Sequence, residues 1–369
     1  MTPADDTRWM NAALAYARQG VGETRPNPSV AALVVKDGVL LGRGRTAPGG
    51  RPHAERVALD AAGATARGAT MIVTLEPCAR RSQRVDAVSC TDAIIAAGIS
   101  RVVIGADDPS SFAGGEGAAR LRAAGIAVDT GVSAAAARRL NLGHILRVTD
   151  HRPLVSLKMA QTADGFAGTP AGGPIMITGP VSFRHTHLAR AEADAIMVGV
   201  GTVLGDDPQL SCRLPGLAHR SPERIVLDGR LRTPLTAKVV TTARQIATRI
   251  FTREGADAGR LAALRAAGVD VTEVPAEAGA GCALRVVLSA LAASGITRLM
   301  VEGGPTLAEA LADADLIDDF TLMTGPAPVG AGCVALRPGL RRWLTAAGVT
   351  RTDSTLWGED RVEIFERDR

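Results

Sequence analysis

Short apolar runs closed by charged or glycine-bearing turns recur along the chain, and stretches with helical spacing lie between them. In the first 150 positions SVAALVVKDG, MIVTLE, RVVIGADDP and IAVDTG read as strands. Helical spacing runs through HAERVALDAAG, TDAIIAAG and GEGAARLRAAG, and through the opening MTPADDTRWMNAALAYARQG, with Thr7 as its expected cap and Gly20 as its stop. SAAAARRLNLGHILRVTDHRP then bridges to a new strand, LVSLKMAQ, and the proline after Asp150 closes the helical pattern. Beyond it, ADAIMVGV, ERIVLD, TRIF, VDVTEV, TRLMVEGG, DFTLMTG and RVEIFERD read as strands. SFRHTHLARAE, DAGRLAALRAAG, ALRVVLSALAASG and TLAEALADA read as helices. Strands alternating with helices predict α/β layers in both parts, and the Asp150–Pro153 segment separates a domain over 1–148 from one over 149–369.

Length and composition agree with two soluble domains: 369 residues, 46% hydrophobic and 3% aromatic. No run approaches the ~20 apolar residues of a membrane span, and the N-terminus lacks the pattern of a secretory signal. The five cysteines, Cys78, Cys90, Cys212, Cys282 and Cys333, are an odd and scattered set, which predicts a reducing, cytoplasmic location rather than a disulfide framework. The net charge of +4 lies in the first part, where residues 1–150 hold 18 basic and 14 acidic side chains. That excess is too small to indicate nucleic-acid binding and suits a small anionic substrate.

The stretch TLEPCARRSQRVDAVSC, residues 74–90, carries the first candidate chemistry. Pro77–Cys78 opens like a metal-binding turn, but the next cysteine is Cys90, after an arginine-rich insert. Upstream, PHAERVALDAAG sets His53 and Glu55 at a helix start. The order H-x-E, P-C, C is the pattern of zinc deaminases. One imidazole and two thiolates fill three tetrahedral positions, leaving the fourth for water, whose pKa the metal lowers toward ~7. A carboxylate that is not a ligand, here Glu55, would carry protons from that water to the leaving amine. MIVTLEP runs into Cys78 and TDAIIAAG begins just after Cys90, whose place at a helix start favours a thiolate. The insert can loop outward without moving either ligand.

At these residues the chain resembles the bifunctional deaminase/reductase family of riboflavin biosynthesis. The matching segments are Pro26–Asn27–Pro28, Pro52–His53–Ala54–Glu55, Glu76–Pro77–Cys78, Cys90–Thr91–Asp92–Ala93, Asp108–Pro109 and Leu121–Arg122–Ala123–Ala124–Gly125–Ile126. A long gap between the cysteines is normal in that family, so Cys78 and Cys90 belong to one site. The chain departs from the family where a histidine-rich loop is replaced by Ala79–Arg80–Arg81–Ser82–Gln83–Arg84, and where a histidine before the His53 motif is replaced by Thr46. Arg80, Arg81 and Arg84 could clamp a ribose phosphate, or could form a solvated surface run.

The second part resembles the family's reductase domain in LVSLKMAQTADGFAG, with Lys158, Ala160, Asp164 and Gly165 in register. HLARAEADAIMVGVGTVLGDDPQLSCR follows, with Thr202 expected as a cap behind Gly199–Val200–Gly201. In VEGGPTLAEALADADLIDD a strand ends at Glu302, Gly303 and Gly304 allow close backbone approach, and Pro305–Thr306 open a helix whose free amides suit pyrophosphate. Pro174 and Met176 stand where the family has a serine and a tryptophan before its I-T-G. His185, His187 and His219 read as helix or loop residues, not ligands.

The resemblance implies a cytidine-deaminase-like α/β/α domain followed by a dihydrofolate-reductase-like α/β domain. It implies one zinc ion per chain on His53, Cys78 and Cys90, with Glu55 as the catalytic carboxylate. The first domain would deaminate a phosphoribosylated diaminopyrimidinone. The second would reduce the opened ribose of the product with NADPH, giving a ribitylamino arm. Substrate contacts are expected from Asn27, Lys158, Arg190, Leu210, Arg213 and Glu302. Cofactor contacts are expected from Ala160, Met176, Thr202, Asp206, Gly303, Gly304, Pro305 and Thr306. No nucleic-acid or membrane partner is expected, and self-association stays open. Two rival readings remain: a reductase whose altered loop has disabled or redirected the deaminase, and a nucleotide-binding regulator with structural zinc.

Overall fold

A computed structural model describes residues 2–80, 88–111, 113–168, 175–277 and 281–369. Two compact units emerge, Met1–Arg152 and Pro153–Arg369. The expected boundary after residue 148 falls inside the last turn of the helix that ends the first unit.

The first unit contains α1 (Pro3–Arg18), β1 (Ala31–Lys36), β2 (Val39–Arg45), α2 (Ala54–Ala62), β3 (Thr70–Leu75), α3 (Cys90–Ala96), β4 (Arg101–Ala106), α4 (Glu116–Ala123), β5 (Ala127–Thr130) and α5 (Ala134–Thr149). Its sheet runs β2-β1-β3-β4-β5, with β1 antiparallel to β2 and β3, and with β3, β4 and β5 parallel. Alternate side chains of β1 part to opposite faces. Ala31, Leu33 and Val35 pack with Met10, Ala13 and Ala17 of α1, while Ala32 and Val34 join Ala54, Ala58 and Leu59 of α2. Burial on both faces explains why the strand is apolar without interruption.

Two local expectations are corrected. The cap of α1 is Thr2, which shares a capping box with Asp5, whereas the Thr7 hydroxyl donates to Pro3 O inside the helix. Pro3 at N1, just ahead of two acidic residues, moves the helix start upstream. Strand β2 was not predicted, because its sequence VLLGRGR is interrupted by two glycines. Those glycines let α2 lie against it: a Cβ on Gly42 or Gly44 would stand 2.4 Å and 2.2 Å from the carbonyl oxygens of Ala58 and Ala54.

The second unit contains β6 (Leu154–Gln161), α6 (Pro180–Ala191), β7 (Ala195–Gly199), α7 (Val200–Asp206), β8 (Glu223–Leu227), α8 (Lys238–Thr241), β9 (Thr248–Arg253), α9 (Ala258–Ala266) and β10 (Asp270–Val274). A two-residue ladder of β11 (Ala276–Glu277) and β12 (Gly281–Cys282) precedes α10 (Leu284–Ala293), β13 (Arg298–Val301), α11 (Pro305–Asp313), β14 (Asp319–Thr324), α12 (Pro338–Leu344), β15 (Val349–Trp357) and β16 (Asp360–Arg367). The nine-stranded sheet runs β10-β9-β8-β7-β13-β6-β14-β16-β15, parallel from β10 to β14 and antiparallel thereafter. One apolar core is centred on β6, β13, α10 and α11, and the other on β7, β8, β9 and α9. The edge strand β15 was not predicted, since its sequence VTRTDSTLW has no apolar alternation to announce it. Thr202 is no cap: Gly199 holds that position, and Thr202 lies inside α7.

Candidate active sites

In the first unit the sequence-predicted ligands converge. His53 is the N-cap of α2, Cys78 follows β3, and Cys90 is the first residue of α3. His53 Nδ1 lies 3.8 Å from Cys78 Sγ and 3.4 Å from Cys90 Sγ, and the three donor atoms all fall within 4.8 Å of one another. A tetrahedral zinc with ordinary Zn–N and Zn–S bonds separates such atoms by about 3.6 Å, so donor set and spacing both fit that ion. Among the described residues this is the single histidine, cysteine and acid cluster of that kind.

The two cysteines already interact: the Cys90 backbone N–H donates to Cys78 Sγ at 3.4 Å. Hydrogen bonding from Cys90 draws the Cys78 thiol down to about 4, and the same contact with Cys78, together with burial, pushes Cys90 up. Glu55, in the first turn of α2, is 4% exposed. Burial pushes its carboxyl up, against the pull of His53.

His53, Cys78 and Glu55 line a cavity of about 470 Å³ whose wall also includes Asn27, Thr46, Asp108, His144 and Arg147. Asn27 Nδ2 donates to Gly50 O at 2.9 Å, and the Thr46 hydroxyl accepts from Val30 N at 3.1 Å. Arg80 and Arg51 also line it. Arg80 pairs with Glu116 at 3.0 Å, while Arg51 has no ion pair among the described residues. Arg81 and Arg84, named above as a phosphate clamp, lie outside the described residues. Glu76, buried below, accepts from the backbone N–H groups of Gly115 and Ala118 and ties β3 to the start of α4.

Sequence reasoning missed Arg51, His144 and Arg147. The last two share a face of α5 at i, i+3 spacing, a signal that carries no chemistry until β4 brings Asp108 against it.

In the second unit Arg190 of α6 grips Glu302, which follows β13, in a two-pronged pair of 2.6 Å and 2.8 Å. Its third nitrogen donates to Ser211 O at 3.0 Å. Burial would push the Glu302 carboxyl up, but Arg190 and Lys158 outweigh it and hold it below the usual range. Lys158, half-buried on β6, has its ammonium pushed down by burial, with Glu302 opposing and Arg190 adding to the effect. Arg213 lies over the Phe183 ring at 5.4 Å, and its backbone N–H donates to His187 Nδ1 at 3.0 Å. Leu210 is buried with φ +55°, a strained conformation for a leucine.

Gly304 caps α11, followed by Pro305 and Thr306 in its first turn, with open space where a Gly304 Cβ would stand. Gly303 instead packs on Leu307, 2.7 Å from where its Cβ would lie. Ala160 is half-buried on β6, Thr202 and Asp206 belong to α7, and Met176 is 83% exposed. Pro174 lies outside the described residues.

Comparison with known proteins follows the same division. The cytidine and deoxycytidylate deaminase zinc-binding region matches residues 3–106, and the RibD C-terminal domain matches residues 153–355. These matches agree with a cytidine-deaminase-like first unit and a dihydrofolate-reductase-like second one. The riboflavin biosynthesis protein RibD of Aquifex aeolicus is 38% identical over 362 residues, covering 98% of both chains. That of Escherichia coli is 35% identical over 350 residues, covering 91% of this chain and 92% of its own. Among solved structures, Acinetobacter baumannii RibD superposes with a TM-score of 0.87 at 30% identity, covering 100% of each chain. A diaminohydroxyphosphoribosylaminopyrimidine deaminase/5-amino-6-(5-phosphoribosylamino)uracil reductase from Thermotoga maritima gives a TM-score of 0.84 at 30% identity, covering 99% of each. With both halves matched in order and relatives aligned along nearly its whole length, the chain belongs to the RibD family of riboflavin biosynthesis, bifunctional enzymes that join a zinc-binding deaminase to a reductase.

Proposed function

We propose that the first unit hydrolyses the amino group from a phosphoribosylated diaminopyrimidinone, and that the second reduces the ribosyl arm of the product to ribityl. The observation that carries this reading is the convergence of His53, Cys78 and Cys90, with His53, Cys78 and buried Glu55 in the wall of one cavity.

His53 Nδ1 and the two thiolates would hold zinc, leaving its fourth position to solvent. When bound, zinc makes water nucleophilic at neutral pH. Glu55, raised by burial, is suited to take a proton from the attacking water and return it to the departing nitrogen as the carbon–nitrogen bond breaks, releasing ammonia. Asn27 would orient the pyrimidine, and Arg51, Arg80 and Arg147 supply cations for the phosphate.

In the second unit Lys158, Arg190, Arg213, Leu210 and Glu302 would hold the opened arm. NADPH supplies the hydride when bound, and the protein supplies alignment. The amides of the Gly303–Thr306 turn would face pyrophosphate, with Ala160, Met176, Thr202 and Asp206 contributing to the cofactor site. The Arg190–Glu302 pair keeps Glu302 ionised and fixed beside Lys158, an arrangement that orients a carbonyl and hydroxyls. No helix among the described residues is long and apolar enough to cross a membrane, and a cytoplasmic location is part of this reading.

The test is an assay of ammonia release from the phosphoribosyl diaminopyrimidinone by zinc-loaded protein, followed by NADPH oxidation on the deaminated product. Release without oxidation, or oxidation without release, would disprove the corresponding half.

A further inference from the structure

Beyond the metal ligands, the deaminase cavity has a second built feature. Asp108 follows β4, the neighbour of β3, and both strands are parallel and paired from Thr70–Arg101 to Leu75–Ala106. Cys78 and Asp108 thus follow the C-terminal ends of adjacent parallel strands, three and two residues beyond them. A substrate whose reacting carbon sits at the metal would lay its arm over β4. Asp108 is 9% exposed and lines the cavity there.

His144, 8% exposed, reaches Asp108 from α5: Nε2 donates to Oδ1 at 2.9 Å, and the Ser110 backbone N–H donates to the same oxygen at 2.9 Å. These two bonds end on Oδ1 and the Ser110 hydroxyl also donates to the carboxylate, which with about four lone-pair sites still has capacity at Oδ2 for a donor in the cavity. Burial would push the Asp108 carboxyl up, but the hydrogen bond and charge of His144 overcome this and hold it below the usual range. An ionised carboxylate with spare acceptor capacity attracts hydroxyl groups and repels phosphate. The donor from His144 offsets that repulsion, and Arg147, one turn further along α5, lines the same cavity with a cation.

We propose that His144 is a positioning residue that sets specificity for the ribosyl arm: its hydrogen bond to Oδ1 holds Asp108 so that Oδ2 accepts from the arm's hydroxyls. This rests on the deaminase reading above and deepens it. Neither residue belongs to the metal cluster.

The test is steady-state ammonia release by the zinc-loaded full chain and its variants, with zinc content and melting temperature recorded for each. His144→Phe, which keeps a planar ring and removes the donor, raises KM roughly ten-fold with kcat within about two-fold. His144→Gln, which restores an N–H donor, recovers KM to within about three-fold of wild type. In the Asp108→Asn background His144→Phe adds nothing further, since both changes remove one interaction. Should His144→Phe not fold, Asp108→Asn alone carries the test, with the same KM rise expected. An unchanged KM, a fall confined to kcat, or independent effects in the double variant would overturn the proposal while leaving the deaminase reading intact. A wild-type protein with no turnover removes both.

Discussion

Gly44 of β2 lies directly under Ala54 of α2, so close that a Cβ would stand 2.2 Å from the Ala54 carbonyl oxygen. The neighbouring residues of that helix start are His53 and Glu55. The seat of the candidate metal-site helix is thus a glycine nine positions before His53 in the sequence. Gly44→Ala must push α2 outward, at a cost of about 1–3 kcal/mol typical of overpacking. Lower melting and weaker zinc retention are expected together, with NADPH oxidation by the second unit unaffected. A variant that melts like wild type and keeps its zinc would show that the helix does not depend on this contact.

Wild-type protein is expected to hold close to one zinc per chain, and Cys90→Ser to lose most of it. Elemental analysis after dialysis reads this directly. Retained zinc in the variant would remove Cys90 from the ligand set and reopen the long insert as a loop between unrelated cysteines.

Glu55→Gln keeps size and hydrogen-bonding shape but cannot cycle a proton. Ammonia release should fall by about 10²–10⁴-fold, the usual contribution of general acid–base catalysis. Zinc content should be unchanged, because Glu55 is outside the ligand cluster. A variant with near-normal turnover would exclude Glu55 as the proton carrier.

Arg190→Met leaves the Glu302 carboxylate buried without its partner, which typically costs about 3–5 kcal/mol. The double variant Arg190→Met/Glu302→Gln removes the charge as well and should recover most of that stability without recovering reduction. Chemical denaturation beside an NADPH oxidation assay separates the two effects. Recovery of both would make the pair structural only.

His187 is held near pKa 4 by burial, with the charges of Arg190 and Arg213 adding to it. Its unfolded value is about 6.5, so between these pH values the unfolded chain binds more protons than the folded one. The stability it supports is complete above about pH 6.5 and is lost as pH falls toward 4. Melting of the second unit should decline over that window, and His187→Gln should flatten the decline. An identical acid limb in the variant would assign it to other groups.

Much of this protein was legible before folding was considered. Strands buried on both faces, such as β1 and β4, announce themselves by uninterrupted apolar runs, and helices α2 and α9 by their spacing. The candidate metal ligands were legible because tetrahedral chemistry restricts residue types so strongly that His53, Cys78 and Cys90 stand out even with a long insert between the cysteines. Elements whose reason lies in a neighbour were not legible. Strand β2 looks like a glycine loop until α2 needs room, and β15 has too little apolar content to be told from a loop until β16 pairs with it.

The sequence by itself determined the alternation of strands and helices and singled out the candidate metal ligands, because burial periodicity and ligand chemistry are local properties of residue type. Only the tertiary structure decided that Asp108 meets His144 and that Arg190 meets Glu302. Those partners lie 36 and 112 residues apart, and no local rule of spacing links them before the sheets close.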